Sequence, residues 1–266
     1  MVERTGEVAG LATHWREAPG EGGPVLYLHG VPTASWEGLP FLEQTGGVAP
    51  DLPGFGESAK PDDFDYSIEG YVDWLEAFLD EAGLEQFSLV VHDWGGGLGL
   101  ALAQRIPDRI ERLVVHASVP LLPGYRWHWV ARVWRTPGLG ELSMATATKR
   151  GTRQLSRLAN VSPLPAAFTD QVWRHFDRGT RRAILRLYRA SPPEVLAAAG
   201  RHLGDVSCPT LILWPTEDPY LGPELGPQYA EAIGENAGVE MVERAGHWAW
   251  LDRPDVIDRT AAFLAE

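Results

Sequence analysis

The feature of this 266-residue chain that most limits its fold is the junction V-V-H-D-W-G-G-G at residues 90–97. Phe87–Val91 is an apolar run of strand length, and a Gly-rich helical stretch through Gln104 follows it without a spacer. A strand that passes directly into a helix must turn tightly, so small residues are needed just after the turn, and Gly95 and Gly96 supply them. Such a turn lifts the Asp93 side chain above the strand ends, next to the free backbone N–H groups of the helix start. An Asp at this position also serves simply as a helix cap, so the rest of the chain must decide between the two uses.

Further apolar runs are Pro24–Leu28, the weaker Gly47–Ala49, Leu113–His116, Thr210–Trp214 and Val239–Val242. Between them lie helical patterns. Tyr71, Trp74, Leu75, Phe78 and Leu79 recur on one face behind Ser67, a helix N-cap. Pro254 opens a last helix with Val256, Ile257, Thr260, Phe263 and Leu264 inward. Continuous apolar strands alternating with helices predict an α/β fold, a mostly parallel sheet with helices on both faces. Residues 120–205 break this rhythm, being Arg- and Trp-rich with helical patterns and no convincing strand. They carry 14 Lys and Arg against 5 Asp and Glu, whereas the remainder holds 9 and 31. The expected organisation is a core of residues 1–119 and 206–266 with an inserted helical cap over 120–205. The opposite charges allow attraction between the parts, although a helical layer with solvated Arg is the simpler expectation.

Composition narrows the function. Hydrophobic residues at 44% and charged residues at 22% describe an ordinary globular chain. A net charge of −13 argues against nucleic acid or an anionic membrane as partner. No apolar run is long enough to cross a bilayer, and the polar M-V-E-R-T-G-E-V start lacks a secretory stretch, so a cytoplasmic protein is expected. The single cysteine, Cys208, excludes an internal disulfide and a cysteine-rich metal site.

Two more strand ends bear on Asp93. L-I-L-W-P-T-E-D (211–218) places Asp218 in a loop after one apolar run, with Glu217 as the alternative acid. R-A-G-H-W (244–248) places His247 in a loop after the next. Nucleophile, acid and histidine in the chain order Asp93, Asp218, His247 match an α/β-hydrolase whose elbow carries Asp in place of Ser. Val91 departs from the usual elbow, which has Gly there.

H-G-V-P (29–32), D-L-P-G-F-G-E-S (51–58), H-D-W-G-G (92–96), W-P-T-E-D (214–218) and G-H-W (246–248) together resemble the α/β-hydrolase group that contains epoxide hydrolases and haloalkane dehalogenases. The resemblance spans 24–118 and 206–264 and is weak in the cap. It implies a cis Val31–Pro32 bond and an oxyanion hole at the H-G-x-P turn, with His29 and the 51–58 loop structural.

An Asp nucleophile also constrains the substrate directly. Attack on an ester carbonyl would give a reactive anhydride, whereas attack on an sp³ carbon gives a stable alkyl ester and expels a leaving group. The expected substrate is a small hydrophobic epoxide or alkyl halide, with water as co-substrate. His247, oriented by Asp218, would activate water against the ester on Asp93, and the backbone N–H groups of Val31 and Trp94 would hold the oxyanion. No metal or organic cofactor is required, and the chain is expected to be a monomer or homodimer.

An epoxide oxygen calls for Tyr hydroxyl donors, and a halide for N–H donors. R-L-Y-R (186–189) resembles the epoxide hydrolase cap motif and points to Tyr188. The second cap Tyr has no clear counterpart, with Tyr125 a weak substitute. The Trp94 indole could serve either reaction, Val31 stands where one dehalogenase group has Asn, and Trp127, Trp129, Trp134 and Trp173 are unranked cap donors. Trp129 and Trp248 are expected in the substrate pocket wall. The sequence reading places epoxide hydrolysis first, haloalkane dehalogenation second, and a non-catalytic binding protein third.

Overall fold

Eight strands form one sheet in the computed structural model, which describes residues 1–266 apart from the side chain of Leu155. They are β1 (Val2–Val8), β2 (Leu11–Ala18), β3 (Val25–Leu28), β4 (Gly47–Pro50), β5 (Phe87–His92), β6 (Ile110–Ser118), β7 (Thr210–Pro215) and β8 (Ala237–Val242). Their order is β1-β2-β4-β3-β5-β6-β7-β8, antiparallel at β1–β2–β4 and parallel from β4 to β8. The parallel core is the one expected, since every residue of β3, β5 and β7 is buried. Alternate residues feed opposite faces. Leu26, Leu28, Leu89, Val91 and Val115 join one hydrophobic cluster, and Val25, Tyr27, Val90 and Val114 join the other.

The β1–β2 hairpin has no counterpart in the sequence reading. Most of β1 is exposed, so V-E-R-T-G-E-V lacks the apolar run that marks the central strands. Strand β8 was expected as a buried run, yet it is an edge strand with only Val242 buried. Helix Ile68–Glu81 begins as predicted, with the Ser67 hydroxyl accepting from the Gly70 N–H at 3.1 Å. Helix Asp255–Leu264 follows Pro254 and buries Val256, Thr260 and Phe263. No helix among the described residues is long and apolar enough to cross a membrane.

Between β6 and β7 the chain forms helices at Trp129–Arg135, Leu139–Ala145, Lys149–Ser156, Ala166–His175, Arg178–Ala190 and Pro193–Ala199, with no strand among the described residues. Opposite charges do meet where this insertion rests on the core, as Lys60–Asp177 (2.6 Å) and Arg182–Asp62 (2.8 Å). One partner of each pair is largely exposed, so each contributes at most about 1 kcal/mol. A second seam, of hydrogen bonds, ties the insertion to the segment after β8. The Asp252 carboxylate accepts from the backbone N–H groups of Val161 (3.1 Å), Ser162 (2.9 Å) and Gly246 (3.0 Å) and from the Asn160 amide (2.9 Å). Asn160 also bonds both backbone groups of Trp248, and the His247 N–H donates to the Ala159 carbonyl at 2.8 Å.

The β5 junction folds as its glycines require. A Cβ on Gly95 would lie 2.2 Å from the Leu28 carbonyl oxygen, and one on Gly96 would lie 2.3 Å from the Ser118 hydroxyl. Helix Asp93–Arg105 can therefore approach β3 and β6 only with glycine at both positions. Gly95→Ala should cost about 3 kcal/mol, because the obstructing atoms are backbone and cannot move aside. The expected readout is a melting temperature lowered by roughly 6–12 °C; an unchanged Tm would show that the turn relaxes.

Candidate active site

The turn between β5 and its helix holds Asp93 at φ +48°, a left-handed conformation that lifts the side chain out of the strand. The turn is pinned from beside by the Val119 N–H, which donates to the Asp93 carbonyl at 2.9 Å. Asp93 Oδ2 accepts from the Val31 N–H at 2.9 Å, next to a cis Val31–Pro32 bond. Oδ1 is left facing His247, whose Nε2 stands 3.8 Å away, too far for a hydrogen bond. On the other side of the ring, His247 Nδ1 lies 2.7 Å from Asp218 Oδ2. Asp218 is fixed in turn by the backbone N–H groups of Tyr220 (2.7 Å) and Leu221 (3.1 Å) on Oδ1. Glu217 is exposed, so Asp218 is the acid that reaches His247.

The charges in this group are tightly coupled. Burial raises the Asp93 carboxyl, while His247, His92 and the N–H groups of Val31 and Trp94 oppose the rise. Burial alone would lower His247, but the charge and hydrogen bond of Asp218, followed by Asp93 and Glu37, push it up to about 9. Any event that neutralises Asp93 therefore weakens the hold on the His247 proton.

Above these residues opens a cavity of about 380 Å³, floored by Asp93, His247 and Val31 and walled by Trp134, Tyr188 and Trp248. This size suits a small molecule. Tyr188 is buried, and burial followed by the nearby Asp93 charge keeps its hydroxyl protonated well above the usual phenol range, with the Trp94 indole working the other way. The Tyr188 and Trp94 rings meet edge-on at 5.2 Å. The Trp94 indole N–H is buried and has no acceptor in hydrogen-bond geometry among the described residues.

The remaining predicted positions separate. Trp129 reaches the cavity only at its mouth and is 54% exposed, because its helix turns Val130 and Ala131 inward instead. Trp127 is buried, but its N–H is taken by the Ser191 carbonyl at 3.0 Å. Trp173 packs on Phe176 beneath the Arg181 guanidinium. Tyr125 stacks edge-on against Trp127, and its buried hydroxyl has no partner among the described residues. His29 Nε2 accepts from the Leu52 N–H and Asp51 accepts from Ser35 and Glu57, so both shape loops, as expected. Two neighbours escaped the sequence reading. Tyr220 packs its ring edge-on at 5.2 Å from His247, and Glu37 lies buried behind the turn. A Glu four residues past the H-G-V-P-T turn reads as surface by residue type alone.

A carboxylate on a strand-to-helix elbow, an Asp–His pair beside it and a helical roof over an apolar cavity define an α/β-type hydrolase. The chain belongs to the alpha/beta hydrolase fold family, which matches residues 23–254, and within it to the group of dehalogenases and epoxide hydrolases. A haloalkane dehalogenase of Mycolicibacterium paratuberculosis is 30% identical over 91% of this chain and 84% of its own length. Haloalkane dehalogenase 1 of Mycobacterium tuberculosis is 31% identical over 85% of this chain and 83% of its own. Among solved structures, the putative ancestral haloalkane dehalogenase AncHLD2 superposes with a TM-score of 0.86 at 28% identity, covering 98% of both chains. These likenesses make the protein a hydrolase.

The raised His247 value carries a sign that can be measured. A histidine held above its free value of 6.5 contributes stability that is fully present below that pH and is lost as pH rises through about 9. An imidazole NMR titration should place the His247 midpoint well above 6.5, and Asp218→Asn should bring it down. A wild-type midpoint at 6.5 would contradict the charge arrangement described here.

Proposed function

We propose that the protein is a haloalkane dehalogenase that works through an alkyl ester on Asp93, with residues 120–205 as its cap domain. The observation that carries this reading is the buried indole N–H of Trp94, which faces the Tyr188 hydroxyl beside the nucleophile without a hydrogen bond of good geometry and so leaves two donors side by side for a departing anion. The names of the relatives point the same way. Epoxide hydrolysis ranked first on sequence. It becomes the second reading, favoured by the neutral Tyr188 hydroxyl in the cavity wall.

In the first step Asp93 Oδ1 attacks the carbon bearing the halogen. A C–O bond forms, the C–X bond breaks and halide leaves with the electron pair, received by the Trp94 N–H and the Tyr188 O–H. Tyr188 thus supplies the second donor that Val31, having no side-chain N–H, cannot give. Esterification removes the Asp93 charge, so His247 gives up its proton to solvent and can act as a base. Water then gives a proton to His247 Nε2 and attacks Asp93 Cγ, and the oxyanion grows on Oδ2, where the Val31 and Trp94 backbone N–H groups wait. Collapse passes the proton on His247 to the departing alkoxide, which leaves as the alcohol, and the regenerated Asp93 carboxyl hands its proton to His247, restoring the carboxylate. Asp218 stabilises the imidazolium between the two proton transfers.

The deciding experiment is intact-mass trapping on His247→Ala, which forms the ester but cannot hydrolyse it. With a mixed panel, an adduct on Asp93 equal to a haloalkane minus hydrogen halide supports this reading. An adduct equal to a whole epoxide moves the assignment to the second. No adduct from a folded variant would leave a pocket that only binds.

Trp94→Phe should slow alkylation by haloalkanes about 10²-fold, in the range seen when one anion donor is removed. In a single turnover in ¹⁸O water, the first alcohol released should carry the unlabelled Asp93 oxygen. Labelled alcohol in that first turnover would rule out a covalent ester.

A further inference from the structure

Behind the nucleophile lies a carboxylate that this scheme does not use. Glu37 sits in the turn Ser35–Gly38 and is only 4% exposed. Its Oε1 accepts from the Gly30 N–H at 3.1 Å and faces His92 Nδ1 at 2.9 Å. Its Oε2 accepts from the Trp248 indole N–H at 3.0 Å and lies against the Thr33 hydroxyl. These four partners belong to three separate stretches. Gly30 and Thr33 bracket the Val31–Pro32 turn, His92 immediately precedes Asp93, and Trp248 immediately follows His247. His92 continues the chain of contacts, because its Nε2 lies 3.0 Å from the His247 carbonyl oxygen. Its ring is therefore a strut between Glu37 and the backbone of the base.

Burying a carboxylate is costly, and general stability would be served as well by an apolar side chain of similar size. Here both oxygens are engaged, and burial is outweighed by His92 and by the Thr33 and Trp248 donors, which hold the group down at about 2. Beneath Glu37 a void of about 20 Å³, bordered by His29, His92 and His116, has room for one water. His116 Nδ1 is buried there without a partner among the described residues.

We infer that Glu37 is a positioning residue that locks the loop carrying His247, and the turn carrying the Val31 N–H, to the end of β5, so that hydrolysis of the alkyl ester depends on it far more than ester formation does. The asymmetry follows from the two steps. Alkylation needs Asp93 and the bound substrate, whereas hydrolysis needs a water held between His247 Nε2 and Asp93 Cγ. A displacement of about 1 Å there costs on the order of 10²-fold in rate. The inference rests on the covalent mechanism proposed above.

Glu37→Gln tests it, since the amide keeps the shape but turns an NH₂ group toward two donors and so loses their contacts. Rapid-quench measurement with a 1-bromoalkane should show ester formation within about threefold of wild type and ester hydrolysis slowed roughly 10- to 100-fold. Without any substrate, the downfield proton resonance of His247 Nδ1–H in its bond to Asp218 should broaden or shift in the variant. Equal slowing of both steps, or no slowing with an unchanged resonance, would overturn the inference. If wild type forms no ester from haloalkane or epoxide, the proposed reaction falls, and the substrate-free resonance still decides whether Glu37 holds His247. If Glu37→Gln does not fold, Thr33→Val, which removes the hydroxyl lying against Oε2 and stands outside the cavity lining, should split the two steps in the same direction. Absence of any split in that variant also overturns the inference.

Discussion

A buried negative charge at Asp93 is the constraint on which the surrounding architecture depends. A carboxylate taken out of water favours its neutral form, and a neutral acid is no nucleophile. The fold answers from three directions. The Val31 N–H donates to Oδ2, the helix start adds the Trp94 N–H, and His247 and His92 bring imidazole rings close by. The left-handed turn that exposes Asp93 also demands the glycines at 95 and 96, because only a helix pressed against β3 and β6 can present its N-terminus there.

Much of this was legible in the sequence because it is local or strictly ordered. The elbow is one contiguous stretch, and the order Asp93, Asp218, His247 follows from strand ends that face the same side of a parallel sheet. The choice of Asp218 over Glu217 is different, since adjacent residues in one loop are separated only by which of them the backbone turns inward. The β1–β2 hairpin escaped because an antiparallel edge with a solvated face lacks the apolar run that marks a central strand. Glu37 escaped because its partners lie at Gly30, His92 and Trp248, up to 211 positions away, and nothing in the residue type announces burial.

The helical insertion between β6 and β7 reads least clearly, and the reason is physical. Helical inserts are amphipathic whatever they cover, so a Trp that packs, one that borders the mouth and one that lines the cavity look alike in a pattern. The structure separates them by what their N–H groups meet. Trp127 is spent on a backbone carbonyl and Trp129 stands largely in solvent, while Trp134 stands in the cavity wall. The same logic singles out Tyr188, whose hydroxyl is buried and protonated within the cavity wall.

The Asp252 seam has a consequence for how such a protein can be altered. Asn160 and the backbone of residues 161 and 162 are stapled to the segment that also carries His247. The roof over the cavity and the loop of His247 are thus joined directly by hydrogen bonds on this side. A roof exchanged between relatives would have to bring along a matching 246–252 segment. Pocket shape and proton-transfer geometry are, on this side of the molecule, inherited together.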